Sequence, residues 1–216
     1  MRAQTEAFIE AHTIRTSPPA CPEIALHLAT EITPLWLATE DFLHKANLEP
    51  PYWAFAWVGG QALSRYVLDT PALVRGKRVL DFAAGCGMTA IAAALAGASS
   101  SQAAEIDPTA AAAISLNAKI NNVDIEILLG DVLDRPDCPW DVILAGDVCY
   151  ERPMAERVFA WLRRCAATGA DVLMADPGRA YLPHTGLLKM AAYTIACSLE
   201  LEDRTSRDAV VYKIVG

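Results

Sequence analysis

The stretch Arg78-Val79-Leu80-Asp81-Phe82-Ala83-Ala84-Gly85-Cys86-Gly87-Met88-Thr89-Ala90 carries the densest chemical signal in the chain. A short apolar run, an acid near its end, two glycines one residue apart and a helical run from Ile91 to Ala96 predict strand, tight turn and helix. Glycines at 85 and 87 remove the β-carbons that would block a ligand, and the start of the helix directs its N–H groups at whatever sits in the turn. This is the opening of a nucleotide-binding α/β half and suits an adenosine-containing cofactor. Gly85-x-Gly87-x-x-Ala90 also satisfies the glycine fingerprint of NAD-binding folds, with Glu105 an acceptable distance downstream for a ribose, so the cofactor must be chosen from later residues.

Four further acids follow. Glu105 falls at the tip of the second expected strand, where a carboxylate accepts both hydroxyls of a ribose; Asp107 is committed as N-cap to a helix opened by Pro108. Asp131, after Gly130 at the exit of a third strand (125–129), is placed to accept from an exocyclic amine, or simply to form a turn. Asp147-Val148-Cys149-Tyr150 closes a fourth strand (140–146). Upstream, Pro50-Pro51-Tyr52-Trp53-Ala54-Phe55-Ala56-Trp57-Val58-Gly59-Gly60 crowds aromatic residues before a glycine pair and a helix from Ala62 to Leu68; this is either core or an aromatic wall for a cationic or planar ligand.

The elements that position these residues alternate strand and helix, which predicts a doubly wound parallel sheet. A helix from Pro153 to about Ala167, a strand at 171–176 and two β-rich runs at 193–201 and 209–215 complete it, the last two antiparallel so that the sheet ends in a reversed edge. Ahead of this domain (50–216), residues 1–49 read as an appendage: a weakly amphipathic helix over 2–15, then a short hairpin of 24–29 and 35–38 outside the main fold. The 216 residues carry a net charge of −8 without a Lys/Arg cluster, which disfavours nucleic acid and points to a protein or small-molecule partner. No apolar run is long enough for a membrane span, and no secretory signal is evident, so a cytoplasmic monomer is expected. The six cysteines lack metal-ligand spacing and read as reduced, mostly buried thiols, with no metal implied.

Taken together, these motifs resemble the class I S-adenosylmethionine-dependent methyltransferases, a Rossmann-like fold of seven strands whose sheet closes with such a hairpin. Asp81-x-Ala83-x-Gly85-x-Gly87 matches the cofactor turn with Ala83 replacing the first glycine; Glu105 matches the ribose acid, and Gly130-Asp131 the adenine-side motif. Pro51-Tyr52-Trp53-Ala54, Trp57-x-Gly59-Gly60 and the Asp147-x-x-Tyr150 spacing resemble the protein-lysine methyltransferases of this fold. Within them, the 21–40 segment and Pro51-Tyr52-Trp53 look most like the branch acting on the β-subunit of electron transfer flavoprotein. Val58 departs from the proline of many relatives, and the two prolines of the related nucleic-acid amine motif are missing between Asp147 and Tyr150.

The resemblance implies S-adenosyl-L-methionine as cofactor, bound by Trp57, Gly59, Asp81, Ala83, Gly85, Gly87, Glu105, Ile106, Asp131, Val132 and Asp147. It implies a lysine acceptor docked by Asp147 and Tyr150, with Tyr52 and Trp53 on the substrate side. A small-molecule N-methyltransferase, a non-catalytic binding module on the same fold and an NAD-dependent oxidoreductase stand as alternatives.

Overall fold

The side chains of strand β3 (Arg78–Phe82) alternate between two covered faces. Val79 packs with helices α2 (Val58–Asp69) and α3 (Met88–Leu95), whereas Leu80 and Phe82 pack with α5 (Arg152–Ala167) on the opposite side. In the computed structural model, which describes residues 2–29, 51–197 and 202–215, β3 is the middle of the parallel set. Strands β4 (Ser100–Glu105) and β5 (Glu126–Leu129) extend the sheet on one side, and β6 (Val142–Gly146) and β7 (Asp171–Asp176) on the other. The chain therefore changes direction of travel between β3 and β6, the switch point at which a parallel sheet opens a crevice beyond its carboxyl ends.

Strands β8 (Leu187–Ala196) and β9 (Ser206–Ile214) complete the seven-stranded order β5-β4-β3-β6-β7-β9-β8. The reversed strand of the expected ending is β9, one place in from the edge, because it pairs antiparallel with both β7 and β8. Strand β8 begins at Leu187 rather than near Tyr193. A register shift between Lys189 and Ala191 breaks the period-two pattern that would have revealed its first half.

At the N-terminus, α1 (Arg2–His12) buries Ile9 against Trp53 and against Ala110, Ala113 and Leu116 of α4 (Pro108–Ile120). Strand β2 (Leu26–Leu28) pairs antiparallel with β1 (Ile14–Thr16); the 35–38 run expected in a hairpin with 24–29 lies outside the described residues. The hairpin is not external to the main fold: Cys21, Ile24 and Leu26 share one core cluster with Val58, Leu63 and Ile91. Asn117 of α4 and Asn121, the C-cap of that helix, fasten it there. The Asn121 amide pairs with both the N–H (3.0 Å) and the C=O (2.6 Å) of Ala25, and Asn117 Oδ1 accepts the His27 N–H at 2.8 Å. Asn117 also donates to the Cys86 carbonyl at 2.8 Å, so the N-terminal segment is tied directly to the turn between β3 and α3.

That turn holds Ala83 at φ 52°, a left-handed conformation in which an L-residue's β-carbon crowds its own carbonyl. The strain is about 1–2 kcal/mol, and glycine returns about 0.4–1 kcal/mol of it as added freedom in the unfolded chain. Ala83→Gly is therefore expected to stabilise the protein by up to about 1 kcal/mol, read as a raised urea midpoint with an unchanged slope. An unchanged or lowered midpoint would show that the methyl group of Ala83 packs well enough to offset its strain.

Candidate active site

Two carboxylates meet at the switch point, and each caps a helix to which it does not belong. Asp81, on the Val79 face of β3 and 3% exposed, accepts the Ala90 N–H at 2.9 Å. Asp147, just past β6 and 9% exposed, accepts the Gly60 N–H at 2.9 Å. Ala90 and Gly60 are the third residues of α3 and α2, whose first-turn N–H groups have no partner within the helix. Neither helix has a cap hydrogen bond from its own N-cap side chain, Trp57 or Gly87. Both positive helix ends thus face carboxylates rather than water.

Glycines let the backbones come this close. The glycine pair does not precede α2; it forms the helix's first turn. A β-carbon on Gly59 would stand 2.6 Å from both the Ala175 carbonyl and Asp147 Oδ2, and one on Gly146 would stand 2.9 Å from the Gly60 Cα. Gly59 therefore makes room for Asp147 and β7, while Gly60 lines the crevice. The two glycines of the β3–α3 turn separate in the same way. A β-carbon on Gly87 would press Ile114 at 3.0 Å, so Gly87 serves packing, whereas one on Gly85 would meet only the Trp53 backbone at 3.9 Å. Gly85 presents the bare side to the crevice.

The crevice encloses about 370 Å³, counting space open to solvent. Of the predicted site residues it brings together Trp57, Asp81, Ala83, Gly85 and Asp147. Phe55, Ala84, Met88 and Thr89 also line it; they lie inside the two motif stretches of the sequence but do not stand out there as site residues. Glu105 borders this group without being free: its Oε2 accepts the Gly85 N–H at 2.9 Å, and its Oε1 accepts those of Ile106 (2.7 Å) and Asp107 (3.2 Å). Its carboxylate thus braces the glycine turn from the tip of β4. Ile106 projects an exposed side chain beside it.

Asp131 lies apart from the crevice and forms a turn. Its two oxygens accept the Leu133 N–H at 2.8 Å and a short ion pair from Arg157 at 2.6 Å. Against the push of partial burial, those partners hold its carboxyl below the usual carboxylate range. Val132 is buried with Leu133 in the Phe82 cluster. Trp53 is a correction: at 3% exposure it belongs to the core between Ile9 and α4, because the short 3-10 turn of residues 52–54 rotates it inward. The same turn sends Tyr52 outward. The Tyr52 ring lies 6.0 Å from that of Tyr150 and 6.2 Å from that of Trp57, and Phe55 lies 5.7 Å from Trp57. These four rings form a continuous aromatic rim joined to the crevice through Trp57 and Phe55.

Burial decides the acidity of the site. It pushes the Asp81 carboxyl well above its ordinary value, with the Ala90 N–H opposing and Glu105 adding to the rise. It pushes Asp147 up to about 6, against the pull of Arg179 and the Gly60 N–H and with further help from Asp176 and Glu202. Arg179 and Glu202 were not legible as site residues. The nearest signal is the turn sequence Asp176-Pro177-Gly178-Arg179 after a strand, but nothing local marks the distant, buried Glu202 as its partner.

The chain is 40% identical to the electron transfer flavoprotein beta subunit lysine methyltransferase of Xenopus laevis, over 95% of this chain and 85% of the relative. It is 42% identical to that of Homo sapiens, over 82% and 67%. Residues 61–148 match the family model described as ribosomal protein L11 methyltransferase. Among solved structures, magnesium protoporphyrin IX methyltransferase from Synechocystis, with bound S-adenosylhomocysteine, superposes with a TM-score of 0.51 at 16% identity, over 71% of this chain and 80% of that one. This last likeness concerns the fold alone.

An acid whose folded-state pKa lies above its ordinary value of 3.8 binds its proton more tightly in the native state. The stability it contributes is present in acid and is lost as the pH rises through about 6. At neutral pH the ionised Asp147 then costs on the order of 3 kcal/mol. Asp147→Asn keeps an oxygen for the Gly60 N–H and removes the charge. It is expected to be more stable than the native protein at pH 7.5 and to lose that advantage towards pH 4, as read by urea unfolding. No gain at pH 7.5 would contradict this account of the site.

Proposed function

Because the chain belongs to the family of electron transfer flavoprotein beta subunit lysine methyltransferases, we propose that it transfers methyl groups from S-adenosyl-L-methionine to lysine side chains of an electron transfer flavoprotein beta subunit. The observation that carries this reading is Asp147, a buried carboxylate in a crevice at the switch point that is continuous with an aromatic rim.

The residues present fit the cofactor. Gly85 offers a backbone approach that a β-carbon would fill, and Asp81 and Asp147 put negative charge where a cationic ligand is to be held. Glu105, with three N–H groups fixing its orientation, retains acceptor capacity for ribose hydroxyls, and exposed Ile106 offers an apolar surface to the base. When bound, S-adenosyl-L-methionine supplies an electrophilic methyl group on a positively charged sulfur, whose charge also disfavours the ammonium form of a neighbouring amine.

The acceptor side follows from charge and exposure. A lysine arrives protonated, with a pKa of about 10.4. A carboxylate such as Asp147 stabilises that ammonium, so its role is to dock and orient rather than to act as a strong base. Tyr52, Tyr150 and Trp57 supply ring faces for the incoming cation and exclude water, and the proton leaves to solvent before transfer. Tyr52 is 54% exposed and Tyr150 48%. An acceptor side bounded by such exposed rings suits a side chain presented on a protein surface better than a free metabolite.

Two substitutions separate the halves of the site. Asp147→Ala is expected to abolish methylation of the flavoprotein, followed by mass spectrometry, while the protein still binds the cofactor through Asp81, Gly85 and Glu105; a mutant that still methylates would remove Asp147 from the reaction. Glu105→Ala is expected to weaken cofactor binding about tenfold or more, the loss of charge-assisted hydrogen bonds. Unchanged affinity by calorimetry would contradict the ribose assignment.

A further inference from the structure

Asp147 uses its two oxygens unequally. Oδ2 is fixed at 2.9 Å by the Gly60 N–H, whereas among the described residues Oδ1 has only a long approach, 3.4 Å, from Arg179 Nη2. The guanidinium is not short of a closer partner: it forms a two-point pair with Glu202, at 2.7 and 3.1 Å. Glu202, 5% exposed, also receives Arg207 at 2.6 Å, which supplies a second positive charge to this buried acid. At its other end, Arg179 is held through its backbone N–H, which donates to Asp176 Oδ1 at 2.6 Å alongside the Gly178 N–H at 2.7 Å.

An arginine anchored in this way stands beside Asp147 while its shorter contacts go to Glu202. We propose that Arg179, clamped by Glu202, is a positioning residue that keeps Asp147 anionic while leaving Oδ1 open, so that an acceptor ammonium rather than the guanidinium becomes its partner. The inference rests on the lysine-transfer reading of the site and adds to it the residue pair that sets the charge of the docking group.

The charged and titratable groups around Asp147 come from every element packed on it. The first turn of α2 contributes the Gly60 N–H, the turn after β7 contributes Asp176 and Arg179, the 202–207 bend contributes Glu202 and, through it, Arg207, and Cys149 lies two residues further along the chain. Asp81 lines the same crevice from β3. Within this set, Arg179 is the group that favours the ionised form by charge, and Glu202 opposes it while restraining Arg179.

Removing either partner therefore moves Asp147 in opposite directions. Carbon-13 NMR of the carboxylates, with the Asp147 signal assigned by its loss in Asp147→Asn, follows the titration in the full-length protein. Arg179→Gln should raise the Asp147 midpoint by about one pH unit or more. Glu202→Gln should lower it by a similar amount, because a negative charge is lost and the guanidinium is released towards Oδ1. The latter variant should also raise KM for the flavoprotein at least fivefold with a smaller change in kcat, because the freed arginine competes for the docking oxygen. If both midpoints move the same way, or neither moves, the pair is only a structural link between the β7 turn and the 202–207 bend and the proposal fails. Should one variant not fold, the direction seen with the other decides. Since the titration requires no methyl transfer, midpoints that shift as stated in a protein that leaves the flavoprotein unmodified would overturn the substrate reading and leave the positioning role standing.

Discussion

A peptide N–H in the first turn of a helix has no partner inside that helix, and here two such groups are met by carboxylates carried on the ends of neighbouring strands. Everything at the carboxyl edge of the sheet follows from that arrangement. It fixes the entry of α2 against β6 and β7, so that only glycine fits at 59 and 146. It fixes the start of α3 against β3, and it leaves a crevice between the two helix ends at the place where the strand order reverses.

The arrangement is costly for the fold and useful for the site. Asp81 and Asp147 are both more than nine-tenths buried, and burial raises both of their pKa values. A protein selected for stability alone would replace at least one of them with a neutral cap. Their retention makes sense where positive charge is handled: a cationic methyl donor on one side and an ammonium on the other. The backbone tells the same story at Asp147, where a non-glycine residue adopts φ 54° to turn its carboxylate back onto Gly60. Arg179 and Glu202 extend the design outward by placing a restrained cation within reach of the same carboxylate.

Much of this is legible in the sequence. The runs at 78–82, 140–146 and 171–176 read as strands of a parallel sheet, and Asp107-Pro108 reads as the start of a helix. The acids at 81, 105 and 147 stand out because each lies at the end of an expected strand. Other features were hidden because their physics is not local. Gly85 and Gly87 look equivalent in sequence, yet one faces the crevice and the other makes space for Ile114 on a helix far along the chain. Trp53 reads as part of an aromatic wall, but one turn of 3-10 helix sends it to the core and Tyr52 to the surface. The docking of the N-terminal hairpin depends on Asn117 and Asn121, whose amides pair with backbone some ninety residues away. A pair such as Arg179–Glu202 has no sequence signature at all, since any two opposite charges separated by a hairpin look alike.

The central claim is that the space framed by these two capped helix ends receives the methyl-donor half of the cofactor, with the aromatic rim on the acceptor side. A crystal structure of the protein with S-adenosylhomocysteine tests it most directly. The account predicts the amino-acid portion of the ligand between Asp81, Gly85 and Asp147, with the ribose on Glu105 and the sulfur turned towards Tyr52 and Tyr150. Ligand bound elsewhere, or a crevice closed by its own side chains while the protein binds the ligand in solution, would contradict it.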